Sequence, residues 1–434
     1  MAFLDIAGLS EDERDVRDAV HRVAAEVLRP AAGELDRMQP AERVAAGSPF
    51  FSALRTLRSL GYHRMFLPPE AGGPAEPVSP RLQAIVLEEL GWGSLGLATA
   101  FLVDLLPLVC AARYGSPSLR ERLVVPWLED DAGAFHGCWA VTEPDHGSDF
   151  MSSLRDGAAP GLGRGQLVAR PADGGWVLSG QKAAWVSSGP IATHAAVHAQ
   201  AGTDGDMAHG LFAIVALGEP GVRRGPPADM LGVRDEPQGE IFFDNVFVPD
   251  DAVLVPPSPF YAVFGDQLLC MTSAAIANVA VGVARAALEE ALRYARERVQ
   301  GGRAIAGHKN IQLTLYSMFE RVETARAFSR AALDHVQRAV IGSPDGGTGA
   351  SPRHSRAAQV HAKRVAFDNA HDAVQVWGAL GLNRASLVEK LFRDARCLLV
   401  EDGTLEVLAL DAAIDLIHNY EHEVYDLEEV MAKW

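Results

Sequence analysis

Cysteine is scarce in this chain. Four residues, Cys110, Cys138, Cys270 and Cys397, are scattered through 434 positions, and no two form a CxxC pair. That spacing excludes a zinc ribbon and a disulfide framework. No metal site is expected, and reduced thiols fit a cytoplasmic protein. Basic residues are also in deficit, 39 against 56 acidic ones, for a net charge of -17. A nucleic-acid binder needs a basic face, so that class is excluded. The N-terminus carries Asp5 early and lacks a basic start followed by an apolar run, so no signal peptide is expected. The longest apolar stretch, Leu95 to Ala112, is interrupted by Asp104 and Pro107. It predicts a buried helix pair and no membrane span. No GxGxxG follows a strand and opens a helix, so a Rossmann dinucleotide site is not indicated. The glycine-rich run Gly161 to Gly165 lies between strand-like segments and reads as a loop.

What is present is ample core material, with 48% hydrophobic residues in a length that suits about three domains. Ser10 and Glu13 make a capping box ahead of a helix over 10–28, whose Val16, Val20, Val23 and Val27 share one face. Further helical patterns cover 51–61, 80–114 and 117–129. From 134 to 250 the texture changes to short runs rich in Val, Ile, Phe and Trp, separated by Gly, Asp and Pro, which is the pattern of a small antiparallel β domain. Helical periodicity returns at 260–299, and at 308–339, where Ile311, Leu315, Met318, Val322 and Ala325 form a stripe. After a loop rich in Gly, Ser and Pro it resumes at 355–379, 386–397 and 404–421. The expected fold class is α+β. A helical domain (1–133) precedes a β-barrel-like domain (134–252) and a C-terminal helical bundle (253–434).

One segment carries clear chemistry. In Trp139-Ala140-Val141-Thr142-Glu143-Pro144-Asp145-His146-Gly147-Ser148-Asp149 a strand ends in a turn rich in hydroxyls and exposed backbone N–H groups. Such a turn suits hydrogen bonding to a flavin edge and a pyrophosphate. The segment resembles the "TEPxAGSD" turn of the acyl-CoA dehydrogenase superfamily, and the resemblance recurs in order. Trp185-Val186-Ser187-Ser188-Gly189 is similar to the family's "WITNG" strand. Leu231 to Arg234 and Phe243 to Pro249 match the close of its β domain. Gln375 to Gly381 resembles its glycine turn, and Arg393-Asp394-Ala395-Arg396 with Asp402-Gly403-Thr404 matches "RDA…EGT".

The resemblance implies an acyl-CoA dehydrogenase-like fold of N-terminal helices, a middle antiparallel β domain and a C-terminal four-helix bundle, with FAD as cofactor. Within one subunit it assigns Trp139, Val141, Thr142, Gly147, Ser148, Trp185 and Ser187 to the flavin. Arg298, Gln375, Gly378, Thr404 and Glu406 would reach FAD across a subunit interface in a homotetramer or homodimer. Departures fall at Gly301-Gly302, where the family has Phe-Gly, and at Lys309, where it usually has glutamine. The implied reaction removes an α-proton from an acyl thioester while flavin accepts hydride, and an electron-transfer flavoprotein then takes the electrons.

The family keeps a catalytic glutamate where this chain has Asp402, and its alternative base position near Thr272 and Ser273 holds no acid here. Aspartate is shorter by a methylene, roughly 1.5 Å. It could also simply cap the helix that starts near Thr404. Nitroalkane oxidases resemble the same superfamily and use aspartate, and Gly301-Gly302, Pro160-Gly161-Leu162 and Ser116 to Leu119 are shared with them. Their arginine seven residues beyond the base is Ala409 here. Three readings follow: a dehydrogenase acting on a CoA- or carrier-linked thioester with Asp402 as base, an oxidase or monooxygenase using oxygen, or a non-catalytic scaffold.

Overall fold

A computed structural model describes residues 8–148, 165–201, 210–341 and 351–419. Asp149, the glycine-rich run up to Arg164, and the 342–350 part of the Gly/Ser/Pro loop lie outside the described residues. The capping box forms as expected: Ser10 Oγ accepts from Glu13 N at 3.2 Å, and Glu13 Oε2 accepts from Ser10 N at 2.9 Å. It opens α1 (Glu11–Val23), which continues through a single π-turn into α2 (Arg29–Leu35). Then come α3 (Pro49–Ser59), α4 (Pro80–Gly93) and α5 (Leu95–Tyr114).

The break in the 80–114 pattern falls at Ser94, whose hydroxyl accepts from Leu97 N at 3.2 Å as the cap of α5. Asp104 and Pro107 therefore do not split the apolar stretch into a helix pair. Both sit inside one 20-residue helix. Asp104 is tolerated because its carboxylate receives Arg58, His136 Nδ1 at 3.1 Å and Gly137 N at 3.0 Å. A buried charge with that many partners anchors the helix to the strand after it.

The middle of the chain forms an eight-stranded sheet from β1 (Gly137–Ala140), β2 (Val168–Ala172), β3 (Gly175–Ser187), β4 (His194–Ala201), β5 (Leu211–Ala216), β6 (Val222–Arg224), β7 (Gln238–Pro249) and β8 (Val253–Val255). The spatial order is β6-β7-β3-β2-β4-β5-β8, with β1 beside β4. The sheet is mostly antiparallel, but β1 and β2 both run parallel to β4. Between Lys182 and Val186 the register of β3 against β7 shifts, because four steps on β3 match two on β7. That bulge bends β3 just ahead of Ser187.

The C-terminal helices are α6 (Phe260–Glu297), α7 (Lys309–Val336), α8 (Pro352–Trp377), α9 (Leu387–Leu398) and α10 (Leu405–Asn419). α6 is apolar around most of its circumference because α4, α7 and α8 all pack on it. Its approach to α4 depends on two glycines. A Cβ on Gly282 would lie 2.0 Å from Glu88 O, and one on Gly91 would lie 2.1 Å from Val279 O. Across that crossing Arg285 donates to Glu88 and Glu89 at 2.8 Å each, and Arg326 donates to Glu88 at 2.8 and 2.9 Å.

Candidate active site

The turn that ends β1 is held from below by Lys182. This lysine is fully buried, and its Nζ donates to Glu143 Oε1 at 2.7 Å and to Val141 O at 2.9 Å. Glu143 also accepts from Leu167 N at 3.2 Å and from Gln166 N. Its carboxylate is therefore fully engaged in fastening the turn to β3 and to the start of β2. With that support, Thr142, Gly147 and Ser148 line a cavity of about 840 Å³ together with Trp139, Val141, Trp185 and Ser187. The Trp139 indole N–H is buried with no hydrogen-bond partner among the described residues, and Trp185 is 55% exposed despite its size. A large aromatic face and an unused donor in one cavity are what a planar heteroaromatic ring would satisfy.

Most of the remaining wall is hydrocarbon and forms a slot. α5 contributes Leu102, Leu106 and Val109, α6 contributes Leu268 and Ile276, and α7 contributes Leu333. Thr99 and Arg113 both line the cavity and are fourteen residues apart on α5. A helix rise of 1.5 Å per residue gives the slot a length of about 21 Å.

Asp402, Gly403 and Thr404 close the same cavity. Asp402 sits at φ 54°, a left-handed conformation costly for a residue with a Cβ. Two side chains of α8 hold the loop there. Gln359 Nε2 donates to Asp402 O at 3.2 Å, and Lys363 Nζ donates to Gly403 O at 3.0 Å and to Glu401 O. No hydrogen bond to the Asp402 carboxylate exists among the described residues. The helix cap is Thr404, whose Oγ1 accepts from Val407 N at 3.4 Å, so the capping role is not performed by Asp402. Burial raises the Asp402 carboxyl above its ordinary range, and the Lys363 ammonium pulls it partly back. Burial presses the Lys363 ammonium down to about 8. A carboxyl whose proton affinity is raised in this way is suited to accept a proton.

Thr404 does not need a neighbouring subunit to reach this site. Its N–H donates to Ser148 Oγ of the same chain at 3.1 Å, which joins the first and last motifs. Arg298, Gln375, Gly378 and Glu406 do not line the cavity and are exposed on the surface of the C-terminal helices. The Arg393-Asp394 motif is a joint. Arg393 makes a two-pronged bond to Asp36 at 2.8 Å, and Asp394 accepts from Val233 N at 2.7 Å and from Lys390 at 2.6 Å. It locks the 231–234 segment beside the cavity.

Sequence reasoning missed Gln359 and Lys363, and it did not single out Glu236 or Gln238. Glu236, Gln238 and Glu401 line the cavity. A signal existed for two of them. Ser355, Gln359 and Lys363 repeat every fourth residue inside the buried face of α8, where an apolar stripe is the norm.

Comparisons with known proteins agree with this geometry. The acyl-CoA dehydrogenase N-terminal domain matches residues 10–131, the middle domain 138–246, and the C-terminal domain 266–416. Benzylmalonyl-CoA dehydrogenase from Aromatoleum aromaticum is 31% identical, covering 93% of this chain and 97% of that protein. Butyryl-CoA dehydrogenase from Megasphaera elsdenii superposes with a TM-score of 0.81 at 23% identity, covering 96% of this chain and 100% of that one. A nitroalkane oxidase crystallized with 1-nitrooctane gives 0.82 at 21% identity, covering 97% and 98%, and at that identity it speaks to the fold alone. Three domain matches in order and a relative aligned over nearly its whole length place this chain in the acyl-CoA dehydrogenase family.

Proposed function

We propose that the protein catalyses FAD-dependent α,β-dehydrogenation of an acyl thioester, linked to CoA or to a carrier protein, with Asp402 as the base. The observation that carries the reading is the placement of Asp402 in one cavity with Trp139, Thr142, Ser148, Trp185 and Ser187. The unpartnered Trp139 N–H, the open face of Trp185 and the three hydroxyls suit an isoalloxazine ring, and the 21 Å slot suits a hydrocarbon chain. Bound FAD would supply the acceptor for a hydride from the β-carbon. The chain's own residues would do the rest. Thr142, Ser148 and Ser187 orient the ring, the α5 and α6 side chains exclude water, and Asp402 takes the α-proton. Lys363 and Gln359 hold the loop so that the shorter aspartate reaches its proton.

The enzyme would be cytoplasmic, passing electrons to an electron-transfer flavoprotein, and a homotetramer or homodimer. Exposed Val299, Leu382 and Ile417, at 64, 73 and 76%, lie on the same C-terminal helical domain as Arg298, Gln375, Gly378 and Glu406 and support an interface there. The test is anaerobic. FAD-loaded protein titrated with a panel of acyl-CoA thioesters is expected to lose its flavin absorbance, and Asp402→Asn should slow that loss by about a hundredfold or more. Equal rates in parent and variant would remove Asp402 as base. A second reading, an oxidase or monooxygenase of the same fold, is supported by aspartate at this position and by Gly301-Gly302. It predicts rapid reoxidation of the flavin in air, with peroxide or an oxygenated product.

A further inference from the structure

The cavity wall next to Asp402 carries polar atoms that the reaction above does not use. Glu236 and Gln238 are 3 and 2% exposed, and both line the cavity with Glu401. Gln238 Nε2 spans the two acids, 3.5 Å from Glu236 Oε2 and 3.3 Å from Glu401 Oε1. Glu236 Oε1 and Gln238 Oε1 have no hydrogen-bond partner among the described residues. The Ser187 and Thr99 hydroxyls bear on the Glu236 carboxyl and lower it, but the Thr99 hydroxyl also donates to Leu95 O and Gly96 O of its own helix at 2.9 and 3.1 Å, and Glu236 Oε1 stays open. A buried acceptor left without a donor is costly, so two of them in one cavity wall suggest that a ligand supplies the donors.

Charge narrows the ligand further. Neighbouring Asp235 is neutralised by Lys390 at 2.9 Å. Lys363 is the cation facing Glu401 and Asp402, and its ammonium is spent on the Glu401 and Gly403 carbonyls. No ion pair reaches Glu236 or Glu401 among the described residues. Burial, with Glu401 and Asp235 nearby, pushes the Glu236 carboxyl up, and burial, with Asp402 and Asp394 nearby, pushes Glu401 to about 7. A cation placed between the two acids would favour the charged form of both. A hydroxyl offers one donor. An ammonium offers three and no acceptor, which matches Glu236 Oε1, Gln238 Oε1 and the Glu401 carboxylate.

We propose that Glu236, Gln238 and Glu401 form a subsite for a protonated amine carried on the acyl group, so that the preferred substrates are amino-substituted acyl thioesters. The proposal rests on the thioester reading above. The amine pairs with the acids, and the rest of the acyl chain occupies the slot lined by Leu102, Leu106 and Leu268.

The test uses FAD-loaded full-length protein and two matched pairs of CoA thioesters, 2-aminobutyryl with butyryl and 6-aminohexanoyl with hexanoyl. Rates of anaerobic flavin reduction and dissociation constants from calorimetry are measured for each. In at least one pair the amino member is expected to be favoured about tenfold or more, and Glu236→Gln should collapse that ratio toward one. Glu401→Gln is the second variant, should Glu236→Gln fail to fold. A ratio at or below one in both pairs, or a ratio that survives both substitutions, overturns the subsite. If no thioester reduces the flavin, the dehydrogenation reading fails, and the binding ratio still decides the subsite by the same criteria.

Discussion

Asp402 has a shorter reach than the family's glutamate and a backbone conformation that few residues with a Cβ adopt, and both follow from the loop that α8 holds in place. Lys363 donates to the carbonyls on either side of Asp402 and also lowers its carboxyl electrostatically. Removing that cation in Lys363→Met should raise the Asp402 carboxyl further. A base must be ionised, so its rate is lost as pH falls through its own midpoint. The acid limb of the pH profile of flavin reduction should therefore move to higher pH in the variant. A limb that stays in place would show that Lys363 does not act on the base. The loop was only partly legible in sequence. The Asp-Gly-Thr motif was visible, but the lysine that supports it is 39 residues upstream of Asp402, and only helix packing brings the two together.

At the scale of elements, the crossing of α4 and α6 sets the cavity wall, because both helices run from that crossing to residues that line it. Gly282→Ala would drive a Cβ into the Glu88 carbonyl, which belongs to a helix backbone and cannot rotate away. A loss of roughly 1–3 kcal/mol is expected, read as a lower midpoint in chemical denaturation. Gly33 in α2 is a useful contrast, since a Cβ there meets nothing within 4 Å. Gly33→Ala should stabilise by about 0.4–1 kcal/mol through the unfolded chain. If both substitutions shift the midpoint alike, the close approach of the helices is not what Gly282 provides. Helix periods and the capping box were readable because they are local. The apolar run broken by Asp104 and Pro107 was misjudged as a helix pair, because Arg58, His136 and Gly137, which satisfy Asp104, come from elsewhere in the chain.

Across the whole molecule, the buried network of Glu88, Glu89, Arg285 and Arg326 ties the N-terminal helices to the C-terminal ones. Burial alone would raise the Glu89 carboxyl, but Arg285 and His21 hold it at about 2, below its ordinary 4.5. A depressed carboxyl contributes stability that is complete above its unfolded value and lost as pH falls through its folded one. Stability should therefore decline between about pH 4.5 and 2, with Glu89→Gln showing a shallower decline in acid denaturation. Arg285→Met leaves the buried Glu89 carboxylate without its main partner, while Glu88 keeps Arg326, and should cost about 3–5 kcal/mol at neutral pH.

Composition, periodicity and the ordered motifs determined the helix–sheet–helix plan, the family, and Asp402 as the residue in question. Each of these depends on residue type or on local spacing, and local spacing is written in the chain. The left-handed turn at Asp402, its hold by Gln359 and Lys363, the meeting of Thr404 with Ser148, and the open acceptors on Glu236 and Gln238 were decided only by tertiary packing. Their partners lie tens to hundreds of residues apart, and whether a buried polar atom is satisfied depends on which surfaces meet.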